Sequence, residues 1–473
     1  MKSLNINDLK NMRIDYSNVV NHTLDVSSNS ILSINNGNKE KLNNYINLSL
    51  EKKPQLVITS NNCEINNEKV LRFENYEIVF NYILKKICKQ YEDLNYFGIT
   101  GTNGKTTSAY YLNQLIGEKN LFIGTIDDEK KYSFTKEKVL TTPKLFNIVK
   151  LISLQKKNID SVSLEVSSHA LDQERLGNLN FLISGFTNLS QDHLDYHGSM
   201  EDYLKVKAKL FRDGVSRKFV YVDSEVSKKL LDISNIPSFS IGDQDHNNVK
   251  YINSDSNKII FQIDGNEVEC ELNLLGPKVI ENFLLAFSMA YYSGLYNLKY
   301  LINKSKEIKN PPGRYEKISQ NGKTAVVDYA HTPAAIREVI KYSKTKYKNV
   351  KVILGAGGER DKSKRMKMGE ASSTADHITI TNDNPRSEDP LEISKNILEG
   401  IPLNKNTDVV LDRKKAIFKG IESLKEDEVL LILGKGHEKV QEIENKLIPF
   451  DDTKIAIEAM ELENWLELLY PEV

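Results

Sequence analysis

The chain has 473 residues, 40% hydrophobic and 27% charged, with a formal net charge of -1. That length exceeds what one hydrophobic core fills and implies two to four domains; the near-zero charge, with no basic block, excludes a protein drawn to nucleic acid or to a membrane by its overall field. No apolar run approaches the length of a membrane span or a leader, and the three cysteines (Cys63, Cys88, Cys270) form no CxxC pair, so a soluble cytoplasmic protein with reduced thiols is expected.

Residues 1–92 are polar and Asn-rich, with short strand-like pieces at 30–34 and 55–59 and an amphipathic helical spacing at 77–91. From Tyr96 the character changes. Strand patterns at 96–100, 161–166 and 182–187 alternate with helical ones, beginning with 105–116, which predicts a parallel sheet with crossover helices. A second break falls at Lys309-Asn-Pro-Pro-Gly313, where two prolines and a glycine cannot continue a helix. A second α/β series follows, with strands expected at 324–329, 350–355, 377–381 and 429–433. Domains are therefore expected at 1–92, 93–310 and 311–473.

The strongest local signal is Gly98-Ile-Thr-Gly-Thr-Asn-Gly-Lys-Thr-Thr107, which leaves an expected strand and opens an expected helix. Glycines there let backbone N–H groups converge on phosphate oxygens, and the helix N-terminus adds donors and a favourable dipole. Gly101, Thr102, Asn103 and Gly104 form the turn; Lys105 reaches the outer phosphates, and Thr106 or Thr107 faces Mg²⁺. Ile99 stands where the literal GxxxxGK[ST] pattern has its first glycine. The reading is an ATP site.

TGTNGKTT in place of an ordinary phosphate loop resembles the Mur ligase family, which includes the folylpolyglutamate synthetases. Further motifs are similar to its MurE branch: Leu140-Thr-Thr-Pro143, Glu165-Val-Ser-Ser-His-Ala-Leu171 with Gln173 and Arg175, and the run from Thr187 to Gly198. Pro312-Gly-Arg314, Asp328-Tyr-Ala-His-Thr-Pro333, Asp383-Asn-Pro-Arg386 and Gly434-Lys-Gly-His-Glu438 continue the match in one order from Tyr96 onwards. The resemblance implies a three-domain α/β architecture: a small N-terminal α/β domain that binds a UDP-linked precursor, a central P-loop parallel-sheet ATPase domain, and a C-terminal Rossmann-like domain that binds an amino acid. It also implies an ATP-dependent ligase, acting as a monomer through an acyl phosphate, that extends the peptide of the cell-wall precursor UDP-N-acetylmuramoyl-L-alanyl-D-glutamate.

The same resemblance implies the site residues. Glu165 and His193 match metal ligands, with Thr106, and Lys207 is the lysine in register with a carbamylated one, an anion able to hold Mg²⁺. Asn282, Arg314, Asp328 and His331 match the nucleotide side; Thr23, Thr141, Thr142, Ser167, Gln173 and Arg175 match the precursor side. Arg360, Asp383, Asn384, Pro385, Arg386, Gly434 and Glu438 match the pocket for the incoming diamino acid. The planar fork of Arg386 suits a second carboxylate, which meso-diaminopimelate and meso-lanthionine possess and L-lysine lacks.

Two stretches depart from the family pattern. His22-Thr-Leu-Asp-Val-Ser-Ser-Asn29 replaces the usual uridine-contacting motif, and Val279 replaces the first of two asparagines that meet adenine. Other readings stand beside the main one: the same reaction with L-lysine, a folylpolyglutamate synthetase-like ligase or another Mur branch, a non-catalytic nucleotide-binding regulator, and a plain P-loop NTPase.

Overall fold

The computed structural model describes residues 3–126, 140–155, 158–255, 257–444 and 446–461. The first sheet is small and all parallel, in the order β1 (Val19–Val20), β2 (Ile31–Ser33), β3 (Leu56–Ser60), β4 (Val70–Phe73). The helix expected at 77–91 runs over Tyr76–Lys89, opened by the Asn75 side chain accepting from the Ile78 amide at 3.2 Å. Its apolar residues Tyr76, Val79, Ile83 and Ile87 recur at helical spacing and are buried. They share one core with Ile148, Leu151 and Ile152 of the helix Leu145–Gln155, which belongs to the next sheet. The first two units thus share apolar packing.

The second sheet has nine strands: β5 (Asn95–Thr100), β6 (Asn120–Ile123), β7 (Ser161–Glu165), β8 (Phe181–Phe186), β9 (Phe219–Val222), β10 (Ser238–Gly242), β11 (Val249–Asp255), β12 (Lys258–Ile263) and β13 (Asn266–Glu271). Their order is β13-β12-β11-β10-β9-β8-β5-β7-β6. Strands β5 to β11 are mutually parallel, but β11, β12 and β13 form an antiparallel meander. The expected parallel sheet is thus present in β5 to β11, and the antiparallel meander that extends it makes the whole sheet mixed. The β12–β13 turn is Asp264-Gly265, both at positive φ, the pairing a two-residue hairpin demands.

The third sheet is β14 (Glu316–Gln320), β15 (Lys323–Asp328), β16 (Asn349–Leu354), β17 (His377–Ile380), β18 (Thr407–Val409) and β19 (Glu428–Leu433), in the order β14-β15-β19-β16-β17-β18. Only β14 is antiparallel to its neighbour. A separate hairpin of β20 (Val440–Ile443) and β21 (Lys446–Pro449) follows β19. The segments that follow β5 and β8 face the one that follows β15 across a cleft, the edge at which open α/β sheets hold ligands. Among the described residues, no helix is long and apolar enough to cross a membrane.

Candidate active site

The phosphate-type turn joins β5 to the helix Lys105–Ile116, whose N-cap is Gly104 at φ +85°. A side chain there is barred twice, since a Cβ on Gly104 would stand 2.4 Å from Asn282 Oδ1. Asn282 is buried, and its Oδ1 accepts from Ser108 Oγ at 3.2 Å, so this asparagine braces the turn. Thr102 and Asn103 are tied to the end of β8: Thr102 N donates to Asn188 O (2.9 Å) and Asn103 N to Asn188 Oδ1 (3.0 Å). Lys105 Nζ donates to the carbonyls of Gly101 (3.0 Å) and Thr102 (2.8 Å). Burial pushes its pKa down, against the pull of Glu165 and Asp192.

Glu165 ends β7 and is 0% exposed. Its Oε2 accepts from Thr106 Oγ1 at 2.8 Å and its Oε1 from the Thr125 amide at 2.7 Å. Burial raises its pKa, and the Thr106 and Thr125 hydrogen bonds with the Lys105 and Arg314 charges oppose that rise. Hydroxyl and carboxylate oxygens converging beside a phosphate-type turn are the donor chemistry of a hard cation. Lys207, 1% exposed, lies beneath the same turn with Nζ donating to Gly101 O at 2.8 Å and resting 4.5 Å from the Tyr203 ring centre. Burial, with Lys105 adding to it, drives the Lys207 pKa well down.

His193 has φ +52° and sits 3.4 Å from Asp192 Oδ2, with its ring edge-on to His169 at 4.9 Å. Burial lowers it to about 4 despite Asp192. His193 thus turns towards Asp192 and His169, whereas Thr106 and Glu165 pair with each other. No group of three His, Cys, Asp or Glu side chains among the described residues could by itself hold a metal. A cation here needs hydroxyl, phosphate or carbamate oxygens to complete its shell.

The third unit reaches over through Arg314. Its Nη2 donates to Thr106 Oγ1 at 3.1 Å and its guanidinium stacks 4.4 Å from the Tyr329 ring centre. Asp328 holds this junction: Oδ2 accepts from the Tyr315 amide (2.7 Å) and Oδ1 from the Ala330 amide (2.8 Å). Both of its oxygens are thereby given to its own domain, so Asp328 shapes the junction. His331 Nδ1 lies 2.8 Å from Tyr329 O, and burial lowers its pKa to about 4. Asn103, Gly104, Thr107, Asn282, Arg314, Asp328 and His331 all line one cavity of about 410 Å³ between the two units, with Val279 in its wall.

The loop after β17 carries Asp383 to Arg386 against the loops after β16 and β19. Asn384 Nδ2 donates to Glu438 Oε2 (2.9 Å), and Lys435 Nζ donates to Asn384 Oδ1 (3.0 Å) and Glu438 Oε2 (3.1 Å). A Cβ on Gly434 would meet Asp383 Oδ2 at 2.4 Å, and one on Gly358 would strike the Pro385 carbonyl. Arg386, at φ +54°, donates Nε to Glu442 Oε2 (3.0 Å) and Nη1 to Gly358 O (2.5 Å). Arg360 is exposed at the rim, close enough for its charge to depress His169. The sequence motifs contain Lys435, and nothing in their spacing shows that it already neutralises Glu438.

On the precursor side, Thr142 is 0% exposed, and its hydroxyl donates to Glu165 O at 2.7 Å and accepts from the Ser167 amide at 2.9 Å. Thr142 therefore holds the strand end in place, while Thr141 faces Thr125 at 3.2 Å. Arg175 grips Gln173 Oε1 through Nε (2.9 Å) and Nη2 (2.6 Å) and reaches Thr142 O through Nη1 (3.2 Å). Ser167 caps the helix Ser168–Asp172. Thr23 is far along the chain from these, its carbonyl accepting from Lys52 Nζ at 2.9 Å. The nearby cavity of about 170 Å³ is lined by Asn18, Asp25, Ser27, Asn29, Asn147 and Lys150 among others, and Thr23 is not in its wall.

Fold and cleft define the class: an α/β enzyme with a nucleotide cleft between a phosphate-loop domain and a second α/β domain. Residues 99–290 match the Mur ligase middle domain, and residues 313–436 match the Mur ligase, glutamate ligase domain. The UDP-N-acetylmuramoyl-L-alanyl-D-glutamate--2,6-diaminopimelate ligase of Aquifex aeolicus is 38% identical over 79% of this chain and 78% of its own. The enzyme of the same name from Rickettsia bellii is 35% identical over 91% and 92%. A solved structure of such a ligase superposes with a TM-score of 0.62 at 26% identity, covering 97% of this chain and 99% of that one. The chain belongs to the Mur ligase family, in its MurE branch. It is accordingly an ATP-dependent ligase that forms an amide bond in peptidoglycan synthesis, within a family that uses ATP and Mg²⁺.

Proposed function

We propose that the protein joins the amino group of meso-diaminopimelate, or of a close analogue such as meso-lanthionine, to the terminal carboxylate of UDP-N-acetylmuramoyl-L-alanyl-D-glutamate. The observation that carries this reading is the Arg314–Thr106 contact of 3.1 Å, which ties the third unit to the phosphate-type turn. The precursor carboxylate attacks the γ-phosphorus, forming an acyl phosphate as the bond to ADP breaks. The amine then attacks the acyl carbon, phosphate leaves, and the amine sheds its proton. Catalysis rests on positioning and on neutralising phosphate charge.

In this reading the turn Gly101–Thr107 cradles the phosphates, with Lys105 leaving its two carbonyl partners for phosphate oxygens. Asn282, Arg314 and His331 border the nucleotide in the 410 Å³ cavity. Thr106, Glu165, His193 and a carbamylated Lys207 would hold Mg²⁺, which supplies charge neutralisation at the phosphates. Carbamylation needs a neutral amine to add to CO₂ with loss of a proton, and a buried lysine whose pKa is driven down supplies one. Thr141, Ser167, Gln173 and Arg175 would meet the muramoyl peptide; the cleft lined by Asp25, Ser27 and Asn29 suits the uridine end better than Thr23 does. Arg386 and Arg360 would take the far carboxylate and Glu438 the ammonium. We place the enzyme in the cytoplasm as a monomer, with domains meeting near residues 92 and 310.

The test is amino-acid-dependent phosphate release with meso-diaminopimelate, meso-lanthionine and L-lysine as acceptors. Turnover with the first two and not with lysine is expected. Preference for lysine would overturn the pocket assignment, and release indifferent to the acceptor would return the protein to a plain NTPase.

A further inference from the structure

One buried cation in the cleft has no part in the reading above. The helix Ser363–Ser372 follows the Gly357–Asp361 loop and carries three neighbouring cations, Lys364, Arg365 and Lys367. Arg365 turns inward, with Nη2 donating to Glu388 Oε1 (3.1 Å) and Gly357 O (3.2 Å). It anchors the helix to its own domain. Lys364 and Lys367 point the other way, across the cleft. Lys367 Nζ donates to Gln191 Oε1 at 2.7 Å, and Lys364 Nζ stands 3.6 Å from Asp192 Oδ1.

The two sites differ in surroundings. Lys367 is at the rim, whereas the Lys364 side chain is 12% exposed and its Asp192 partner 7%. Asp192 follows closely on Ser190, whose amide and carbonyl both bond Thr102 Oγ1 of the phosphate-type turn (3.0 and 3.2 Å), so Lys364 ends beside that turn. Lys105, Arg314 and Lys364 bring three cations to this end of the cleft, where Glu165 is held by Thr106 and Thr125 and the Asp328 carboxylate by two backbone amides. Three converging cations favour a multiply charged anion. A lysine suits a moving target, because its ammonium is a point charge on a flexible stem.

We propose that Lys364 is a further catalytic residue, which leaves Asp192 to donate to the phosphoryl group in transit from ATP to the precursor carboxylate. This rests on the acyl-phosphate reading. The new carboxylate O–P bond forms, the γ-phosphorus bond to the β-bridging oxygen breaks, and the electron pair departs on ADP; Lys364 keeps its proton throughout. Because the lysine comes from the third unit and its partner from the second, the phosphoryl charge is met in full only when the cleft is shut.

The test uses the whole protein with ATP, diaminopimelate and precursor labelled with ¹⁸O in its reacting carboxylate. Wild type should release labelled phosphate. For Lys364→Gln we expect kcat to fall about 10²-fold, with the KM for ATP within about threefold of wild type. The melting temperature and the substrate-induced compaction in X-ray scattering should be kept, and Lys364→Arg should recover a large part of the rate. Normal turnover in Lys364→Gln, with labelled phosphate from wild type, overturns this role and leaves the acyl phosphate standing. Loss of compaction in step with rate reduces Lys364 to a closing tie and also overturns it. Unlabelled phosphate from wild type sinks the acyl-phosphate reading, and this role with it.

Discussion

The two ends of the cleft hold their charges in different ways. At the phosphate-type turn, Lys105 and Lys207 are capped by the neutral carbonyls of Gly101 and Thr102. No carboxylate of the described residues forms an ion pair with either. At the Asp383–Arg386 loop Arg386 already pairs with Glu442, and Lys435 with Glu438. The first arrangement gains most from any polyanion, because a carbonyl dipole is a weak substitute for a phosphate oxygen. The second gains little from charge as such. An incoming amino acid must exchange with partners already in place, so it is selected by the spacing of its charged groups.

The largest effect should come from the carbonyl-capped end. Lys105→Ala is expected to lower kcat by about 10²- to 10³-fold with the melting temperature nearly unchanged, since only carbonyl contacts are lost. Undiminished turnover would reject the phosphate assignment. Next comes Arg386→Ala, for which steady-state kinetics should show the diaminopimelate KM rising about 10²-fold and the ATP KM hardly moving. Equal shifts in both would mean that Arg386 supports the fold of the loop alone.

Glu442→Gln probes the exchange itself. If the substrate carboxylate displaces Glu442 from Arg386, removing that competitor should lower the diaminopimelate KM by about threefold, the worth of a partly exposed pair. A raised KM would show that Glu442 orients Arg386 and is not displaced. The smallest effect is on pH dependence. Burial lowers His331 to about 4 and His437 to about 3. Their unfolded counterparts titrate near 6.5, so the unfolded chain binds protons first as pH falls, and the native state loses stability from about pH 6.5 down towards pH 4. Urea midpoints should decline over that window, and less steeply in His437→Asn. A flat profile would refute the burial of these rings.

What could be read in the sequence was what lies close together along it. The Gly101–Thr107 turn carries its glycines, lysine and threonines within one loop, and Glu165 follows from a strand end; four of the six third-sheet strands were placed to within a residue or so, and β14 and β18 were not foreseen. Pairings at long separation stayed hidden. Glu442 lies 56 positions from Arg386, and Lys435 lies 51 from Asn384. Thr142 carried a hydroxyl fit for a ligand, and only the packing shows it 0% exposed. Lys364 was lost in a lysine-rich stretch that reads as a solvated face. The β12–β13 hairpin did leave a signal, in the period-two burial of Ile259, Phe261 and Ile263 and the Asp264-Gly265 turn. Of the first sheet, β2 and β3 were legible at 30–34 and 55–59, whereas the two-residue β1 is too short to show a period.

The core that joins the first unit to the second has a mechanical consequence. Val79, Ile83 and Ile87 share one core with Ile148, Leu151 and Ile152, so relative motion of these two units would have to break apolar packing. The distance from the Asp25–Asn29 cleft to the Gly101 turn is then a fixed gauge. In the proposed mode of binding, a UDP-sugar-peptide stretched along it presents its last carboxylate to the phosphorus at one chain length, and a precursor one residue short or long is turned away by measurement, before any side chain inspects its chemistry.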